Sequence, residues 1–119
     1  TNGRGAFSSS LAEYVMAASM HFNKQVPRCL KNAEAKTWDK FTMNTLAGKT
    51  MGFIGWGHIA KTSATLAKAF GMRVIACRRS STKVPAPGEV VPEKTYSIED
   101  KRELFKEADF VVSFGVFAS

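Results

Sequence analysis

The chain has 119 residues, enough for about one domain, and 45% of them are hydrophobic, so it can bury a core and is not a disordered chain. Its 17 Lys and Arg residues against 10 Asp and Glu residues give a net charge of +7, which excludes an acidic solvating protein. Three kinds of partner remain: nucleic acid, an anionic membrane, or a small molecule that carries phosphate. A two-domain enzyme does not fit in this length, and because residue 1 is Thr rather than Met, we expect a fragment.

The cysteine pattern favours a reduced, cytoplasmic protein. Cys29 and Cys77 lie 48 positions apart, with no Cys-x-x-Cys motif and no histidine pair at metal-ligand spacing. A structural disulfide between them has no support in the pattern, reduced thiols are the better interpretation, and no metal site is predicted. The sequence holds no run of about 18 apolar residues, which excludes a transmembrane helix within it.

The first predicted element is a helix over Leu11–Phe22. Ser10 and Glu13 form a capping box, in which each side chain accepts a hydrogen bond from a backbone amide at the start of a helix. Behind it, apolar residues recur at helical spacing: Leu11, Val15, Ala18 and Phe22. Pro27 lies just past the expected end of this helix. The residues from Cys29 to Gly48 are mixed in character, and we interpret them as a short helix or a loop.

Two strands with a helix between them follow. Thr50–Ile54 is a short apolar run, consistent with a buried strand. An Ala-rich helix then runs to about Phe70, and Gly71 is the expected left-handed residue after its end. Arg73–Cys77 is the second apolar strand.

Beyond the second strand, we predict a long loop, a helix and a third strand. The loop is polar and contains Gly88 and three prolines. Ser97–Asp100 carries a second N-terminal capping signature, and the helix that it opens runs through Leu104 to about Ala108. Phe110–Phe114 is the third strand.

The order β-α-β-α-β predicts an α/β fold. Strands joined by helices of this length run parallel, and right-handed crossovers arrange them as half of a doubly wound sheet. We therefore expect an incomplete Rossmann-like, doubly wound parallel sheet over residues 49–119, preceded by an N-terminal helix and a connecting segment over residues 1–48.

The turn after the first strand matches a dinucleotide-binding fingerprint, G-x-G-x-x-A, placed between a predicted strand and a predicted helix. Its first glycine permits the tight turn, its second lets the backbone approach a pyrophosphate, and a small third residue lets helix and strand pack. Amides at the start of the helix then point at the anion, helped by the helix dipole. A helix-capping turn without a ligand is the alternative. The predicted cofactor-binding residues of this turn are Gly55, Trp56, Gly57, His58, Ile59 and Ala60.

The end of the second strand favours NADP(H) over NAD(H). An NAD site usually has Asp or Glu about 20 residues beyond the glycines, where it accepts hydrogen bonds from the ribose 2′-hydroxyl. Arg78 occupies that place, 23 residues after Gly55. A guanidinium donates paired hydrogen bonds to a phosphate, whereas a carboxylate would repel it. We predict that a 2′-phosphate binds basic and hydroxyl residues, among them Arg78, Arg79, Ser80 and Lys83. A solvated basic loop without a ligand is the alternative. Nucleic-acid binding is disfavoured, because this loop lacks the aromatic or helical residues that such a site would need.

Taken in order, these motifs resemble the D-isomer-specific 2-hydroxyacid dehydrogenase family. The resemblance covers nearly the whole chain and is carried by Leu11–Met16, Trp38, Leu46–Ala60, Lys68–Ala76 and Glu107–Val112. It implies NAD(P)-linked interconversion of 2-oxo and 2-hydroxy acids, such as glyoxylate or hydroxypyruvate. It also implies a homodimer, because the family's helix that matches Leu11–Phe22 commonly packs at the subunit interface.

The chain departs from the family pattern in two places. Ala60 stands where the third glycine is usual, and Gly115–Ser119 stands where a loop containing Pro and Thr normally follows the third strand. The family's catalytic Arg, Glu and His come later in its sequences, so we predict no catalytic residue in this chain. We expect His58 to face solvent in the phosphate turn and His21 to be a packing or surface residue.

Two functions of different classes follow from these patterns. The first is the cofactor-binding part of a 2-hydroxyacid dehydrogenase that prefers NADP(H), with NAD(H) as the alternative cofactor, catalytically incomplete as given. The second is a regulatory or sensor protein that binds a dinucleotide without turning it over. The predicted partners are the dinucleotide and, in a full enzyme, a small 2-oxo or 2-hydroxy acid, with no nucleic acid and no membrane.

Overall fold

The computed structural model describes residues 4–41, 44–79 and 87–113. Within these ranges the helices are α1 (Arg4–Asn23), α2 (Val26–Ala35), α3 (His58–Ala69) and α4 (Lys101–Glu107). The strands are β1 (Thr50–Ile54), β2 (Arg73–Cys77), β3 (Lys94–Tyr96) and β4 (Phe110–Ser113).

The strands form one parallel sheet in the order β3-β2-β1-β4. This confirms the predicted α/β fold, and the order 3-2-1-4 is that of the first strands of a Rossmann sheet. In the centre, Gly52 of β1 lies opposite Ile75 of β2 and Val111 of β4. β1 and β2 have the predicted bounds, and β4 begins where predicted, whereas Phe114 lies outside the described residues.

Side chains of β1 and β2 point alternately into two cores, because successive residues of a strand face opposite sides of the sheet. On one side lies the larger core, to which α1, α3 and the sheet contribute; its members from the strands include Met51, Phe53, Val74 and Ala76. On the other side, Ile75 and Cys77 pack with Leu104 of α4. Helices therefore cover both faces of the sheet, which explains why these strands are continuous apolar runs.

The packing and the end of α3 agree with the sequence. Three small side chains on one face of the helix are buried: Ala60, Ala64 and Ala67. Gly71 has a φ of +81° and donates its N–H to the Lys68 carbonyl at 2.9 Å, while the Met72 N–H reaches the Ala67 carbonyl at 3.0 Å. This pair of hydrogen bonds is the Schellman motif, and it confirms Gly71 as the residue that ends the helix.

The first helix is longer than predicted. α1 begins at Arg4, so Ser10 and Glu13 lie inside it and the predicted capping box at its start is wrong. No proline interrupts the residues before Ser10, and a capping signature does not stop a helix that its preceding residues can continue. The segment interpreted as a short helix or loop contains the end of α2, which has Pro27 in its first turn.

The long loop predicted after β2 contains a strand that the pattern missed. β3 has only three residues and pairs in parallel with β2, Ile75 opposite Lys94, so the order of elements is β-α-β-β-α-β. The capping signature that follows β3 also behaves differently from the prediction. The Ser97 hydroxyl contacts an Asp100 carboxylate oxygen at 3.0 Å, a 3₁₀ turn covers Ile98–Asp100, and α4 begins only at Lys101.

An ionic network joins β2, β3 and α4 at the amino edge of the sheet. Arg73 pairs with Glu93 (Nε–Oε2 2.7 Å) and with Glu107 (Nη2–Oε1 3.1 Å). The Tyr96 hydroxyl donates to Glu107 Oε2 at 2.6 Å. The hydrogen bond from Tyr96, and next that from Arg73, hold the pKa of Glu107 below its usual value. Glu93 and Glu107 are therefore both paired with neighbouring hydrogen-bond donors.

Three simple properties of the described part of the chain bear on function. Cys29 and Cys77 are both free thiols. None of the described helices combines the length and apolar character needed to cross a bilayer. Over the same ranges, no group of three or more His, Cys, Asp or Glu side chains is placed to hold a metal ion.

Gly52→Ala should lower the free energy of unfolding by about 1–3 kcal/mol. A Cβ at this position would lie 2.7 Å from Leu104 Cδ2 and 3.0 Å from the Ala108 Cβ, so α4 would have to move away from the sheet. Urea denaturation measures the cost. Leu104→Ala removes the nearest atom, and in that background the added methyl group should cost less. An equal cost in both backgrounds would contradict close helix–sheet packing as the reason.

Candidate functional site

The turn between β1 and α3 uses its two glycines for different reasons. Gly55 has a φ of +98°, a conformation that side chains with a Cβ rarely adopt, and its N–H donates to the Cys77 carbonyl at 2.7 Å. Gly57 is the N-cap of α3, with a φ of −94° that any residue can adopt. A Cβ built on Gly57 meets no atom within 4 Å. Gly55 therefore shapes the turn, whereas Gly57 leaves open space at the start of the helix.

The start of α3 has the properties of an anion-binding site. The Lys61 N–H donates to the Gly57 carbonyl at 3.0 Å, so the amides of the three helical residues before it have no acceptor inside the helix. The first turn carries no acidic residue, and Gly57 offers no side chain to cap these amides. The free N–H groups and the positive end of the helix dipole thus face the space beside Gly57, an arrangement that favours a phosphate group.

The other residues predicted in this turn have distinct surroundings. Ala60 is buried against the sheet, as the fingerprint requires of its third position. Trp56 is half-buried and packs edge-on against Phe53, with ring centroids 5.8 Å apart, so its indole supports the turn from the core side. His58 is exposed, as expected, and Ile59 is half-buried. Cofactor binding by these residues stays a prediction.

The basic residues after β2 emerge beside this turn. Ile54 of β1 lies opposite Cys77 of β2, so the residues that follow each strand leave the same edge of the sheet. The Arg78 N–H donates to the Tyr96 carbonyl at 3.0 Å, which fixes its backbone to β3. Arg78 is half-buried and Arg79 is exposed, and within the described ranges neither guanidinium has a carboxylate partner. Ser80 and Lys83, which were predicted to join them, lie outside the described residues.

The sequence pattern missed one ion pair near the start of α3. Lys61, in the first turn, pairs with Glu89 of the segment that returns from β2 to β3, with Nζ 2.7 Å from Oε1. Glu89 is the sole acidic residue between Arg78 and Pro92 in the sequence. This position could have drawn attention to Glu89, but the sequence does not indicate that it pairs with Lys61. The carboxyl edge of the sheet therefore combines free helix amides, two arginines and one neutralised lysine, a set suited to a ligand with phosphate groups.

Comparison with known proteins gives consistent matches. The sequence model described as D-isomer specific 2-hydroxyacid dehydrogenase, NAD binding domain, matches residues 16–115. A hydroxypyruvate reductase from Thermotoga maritima is 33% identical over 112 residues, covering 92% of this chain and 34% of that protein. A D-3-phosphoglycerate dehydrogenase from Methanocaldococcus jannaschii is also 33% identical over 112 residues, covering 92% of this chain and 21% of that protein.

A solved structure is similar in both sequence and fold. The crystal structure of a glycerate dehydrogenase related protein from Thermoplasma acidophilum has a TM-score of 0.74 and 35% identity, covering 92% of this chain and 36% of that one. The chain thus spans about a third or less of the length of these relatives.

Serine substitutions should separate the roles of the two glycines. Gly55→Ser is expected to lower the free energy of unfolding by about 1–2 kcal/mol, because the positive φ forces a Cβ against the backbone. Gly57→Ser should leave stability unchanged or raise it by up to about 1 kcal/mol, since serine is a favoured N-cap. Thermal or urea unfolding of both variants measures the difference. Equal losses in the two variants would show that the turn geometry is not as described.

Proposed function

This chain belongs to the D-isomer specific 2-hydroxyacid dehydrogenase family, and we propose that it holds the nicotinamide cofactor of an oxidoreductase that interconverts 2-oxo and 2-hydroxy acids. The match is to the NAD-binding domain of that family, so dinucleotide binding follows from membership. The observation that carries the proposal is the uncapped start of α3 at the open Gly57, beside the end of β2. A pyrophosphate bound there would accept hydrogen bonds from the free amides.

The substrate class of the proposal comes from the relatives. The Thermotoga maritima protein is named a hydroxypyruvate reductase, and we propose a small 2-oxo acid of this kind, hydroxypyruvate or glyoxylate, for the protein to which this chain belongs. We assign no catalytic role to any residue of this chain. His58 lies within the fingerprint turn, and its side chain is exposed, which supports the expectation that it faces solvent.

We further propose that NADP(H) is preferred over NAD(H). An adenosine ribose placed by a pyrophosphate at α3 lies over the end of the neighbouring strand in this fold. Arg78 and Arg79 directly follow that strand, and their guanidinium groups suit a 2′-phosphate and offer no acceptor to a 2′-hydroxyl. Ser80 and Lys83 follow in the sequence and are predicted to contribute.

The double substitution Arg78→Ala/Arg79→Ala tests this preference. We expect it to weaken NADPH binding by roughly tenfold or more, because two charge-assisted hydrogen-bonding groups are lost, and to leave NADH binding within about twofold. Fluorescence titration with both reduced cofactors measures the two affinities. Lys31→Ala/Lys40→Ala removes the same charge from exposed positions outside the site and should change neither affinity. Gly57→Ser should weaken both cofactors alike, and equal effects of the arginine substitution on both would contradict the preference.

We also propose a homodimer that packs through α1. Large apolar side chains on one side of this helix are exposed: Leu11 by 40%, Tyr14 by 73% and Phe22 by 72%. Leu30 of α2 is exposed as well, by 64%. Exposed large apolar side chains along one helix are typical of a protein–protein interface. Residues 1–48, predicted as a separate segment, would then serve both the dimer and the core, since Val15 and Met16 of α1 are buried with the sheet. A cytoplasmic location stays a prediction.

Tyr14→Lys/Phe22→Lys should convert the dimer into a monomer, because two charged groups would be placed in the apolar contact. Sedimentation of the full-length protein measures the molar mass. Phe105→Lys is the matched control, since Phe105 is an exposed aromatic residue on α4, at the opposite face of the sheet. A dimer that survives the α1 substitutions, or that Phe105→Lys disrupts equally, would place the interface elsewhere.

A further inference from the structure

The helix α2 has an apolar face that the described part of the chain leaves largely uncovered. Its apolar residues recur at the helical spacing i, i+3, i+4 and i+7: Val26, Cys29, Leu30 and Ala33. None of them is buried, and Leu30 is 64% exposed. A helix of ten residues is marginal in water by itself, because most helical stability in proteins comes from packing an apolar face. The face of α2 therefore needs a partner surface.

Residues 36–41, which we call the Trp38 segment, follow α2 directly. Trp38 is 88% exposed, more than any other large hydrophobic residue in the described ranges. Tryptophan is highly buried on average in folded proteins, and it is among the residues most enriched at the energetic centres of protein interfaces. Trp38 thus has both the side chain and the exposure of an interface anchor.

The Trp38 segment is held on α2 by polar contacts. The Arg28 guanidinium donates two hydrogen bonds to the Asp39 carboxylate, one of them from Nη2 to Oδ1 at 2.8 Å. Asn32 Nδ2 donates to the same carboxylate at 2.7 Å. The guanidinium also lies over the Phe41 ring, 4.0 Å from its centroid. An anchor whose backbone is already held in place loses less conformational entropy on association, so this arrangement favours binding through Trp38.

Both ends of α2 have a left-handed backbone conformation without glycine. The φ angles of Gln25 and Lys36 are +53° and +54°. Such a conformation costs a residue with a Cβ about 1–3 kcal/mol, and it persists where the surrounding structure determines it. At the second end, the Lys36 N–H donates to the Ala33 carbonyl at 3.2 Å and the Thr37 N–H to the Asn32 carbonyl at 2.9 Å. These bonds direct the Trp38 segment back along the helix.

The exposed apolar area of α1 is small for a stable dimer. Burying one aromatic side chain removes about 150–250 Å² from solvent, so Tyr14 and Phe22 together supply about 300–500 Å², with a smaller addition from Leu11. A specific interface buries about 800 Å² on each partner. Only two residues separate α1 from α2, and Leu30 and Trp38 carry exposed apolar area of the kind that is missing.

We propose that α2 and the Trp38 segment form an arm that packs against a second copy of this chain, with Trp38 as its anchor. The inference rests on the proposed homodimer and adds to the α1 contact a second surface, in which the partner covers Leu30 and the indole. Because a two-fold axis repeats every contact, each copy both contributes one arm and receives one.

The first experiment measures the dimer dissociation constant of the full-length protein by sedimentation over a dilution series. Trp38→Ala should raise this constant by about tenfold or more, because each dimer loses two anchors. The substitution removes no core contact, since the side chain is exposed in the single chain. Phe105→Ala is the matched control: it removes another exposed aromatic side chain, from α4 at the opposite face of the sheet, and should leave the constant unchanged.

Tryptophan fluorescence gives a second readout that identifies what covers the indole. The difference between the spectra of the wild type and of Trp38→Phe isolates the emission of Trp38. We expect this emission to be blue-shifted at high protein concentration and to move to the red when dilution dissociates the dimer. A blue-shifted emission that does not depend on concentration would show that another part of the same molecule covers Trp38, and it would overturn the arm. A solvent-exposed emission at every concentration would overturn it as well.

The α1 substitutions separate the arm from the α1 contact. A dimer that Tyr14→Lys/Phe22→Lys dissociates and Trp38→Ala leaves intact would overturn the arm and keep the α1 homodimer. A dimer that Trp38→Ala weakens and the α1 substitutions leave intact would support the arm and overturn the α1 contact. Equal weakening by Trp38→Ala and Phe105→Ala would overturn the arm. A wild-type protein that is monomeric at every concentration would overturn the proposed homodimer itself, and this inference with it.

Discussion

The parallel pairing of β1 with β2 determines where the glycine turn and Arg78 of the proposed ligand site lie. Because Ile54 is opposite Cys77, both strands end at the same edge of the sheet, and the Gly55 N–H closes that edge on the Cys77 carbonyl. The glycine turn and Arg78 then leave neighbouring strands side by side. Parallel strands lie only about 4.8 Å apart, so Gly55 and Arg78, which are 23 residues apart in the sequence, come together at the edge where the proposed ligand site lies.

The glycine turn and Arg78 can lie side by side only because helices pack closely on both faces of β1 and β2. On one face, a row of alanines lets α3 approach the sheet, and on the other Gly52 leaves room for Leu104 of α4. A larger residue at either contact would push a helix outward. The start of α3 would then no longer lie at the end of β1, so the small residues position the start of the helix as well as pack the core.

Charge is distributed unequally between the two edges of the sheet. At the amino edge, Arg73 and Lys94 are paired with Glu93 and Glu107, and these ion pairs tie strands and helix together. At the carboxyl edge, within the described residues, Arg78 and Arg79 have no such partner. The ion pairs at the amino edge add no net charge, whereas Arg78 and Arg79 contribute to the net charge of +7 at the proposed ligand site. On the carboxyl side, Glu89 pairs with Lys61 in the first turn of α3.

The sequence alone determined the elements whose causes are local. The apolar runs of β1 and β2, the tight turn at Gly55 and the glycine end of α3 each depend on a few adjacent residues, and all were predicted at the correct positions. Tertiary structure decided the rest. β3 is a short polar segment that becomes a strand because β2 offers it an unpaired edge, and Glu89 meets Lys61 only after the chain has returned along α3. Neither contact can be predicted from periodicity in the sequence, because each joins residues that are distant in the chain. The packed sheet brings them together.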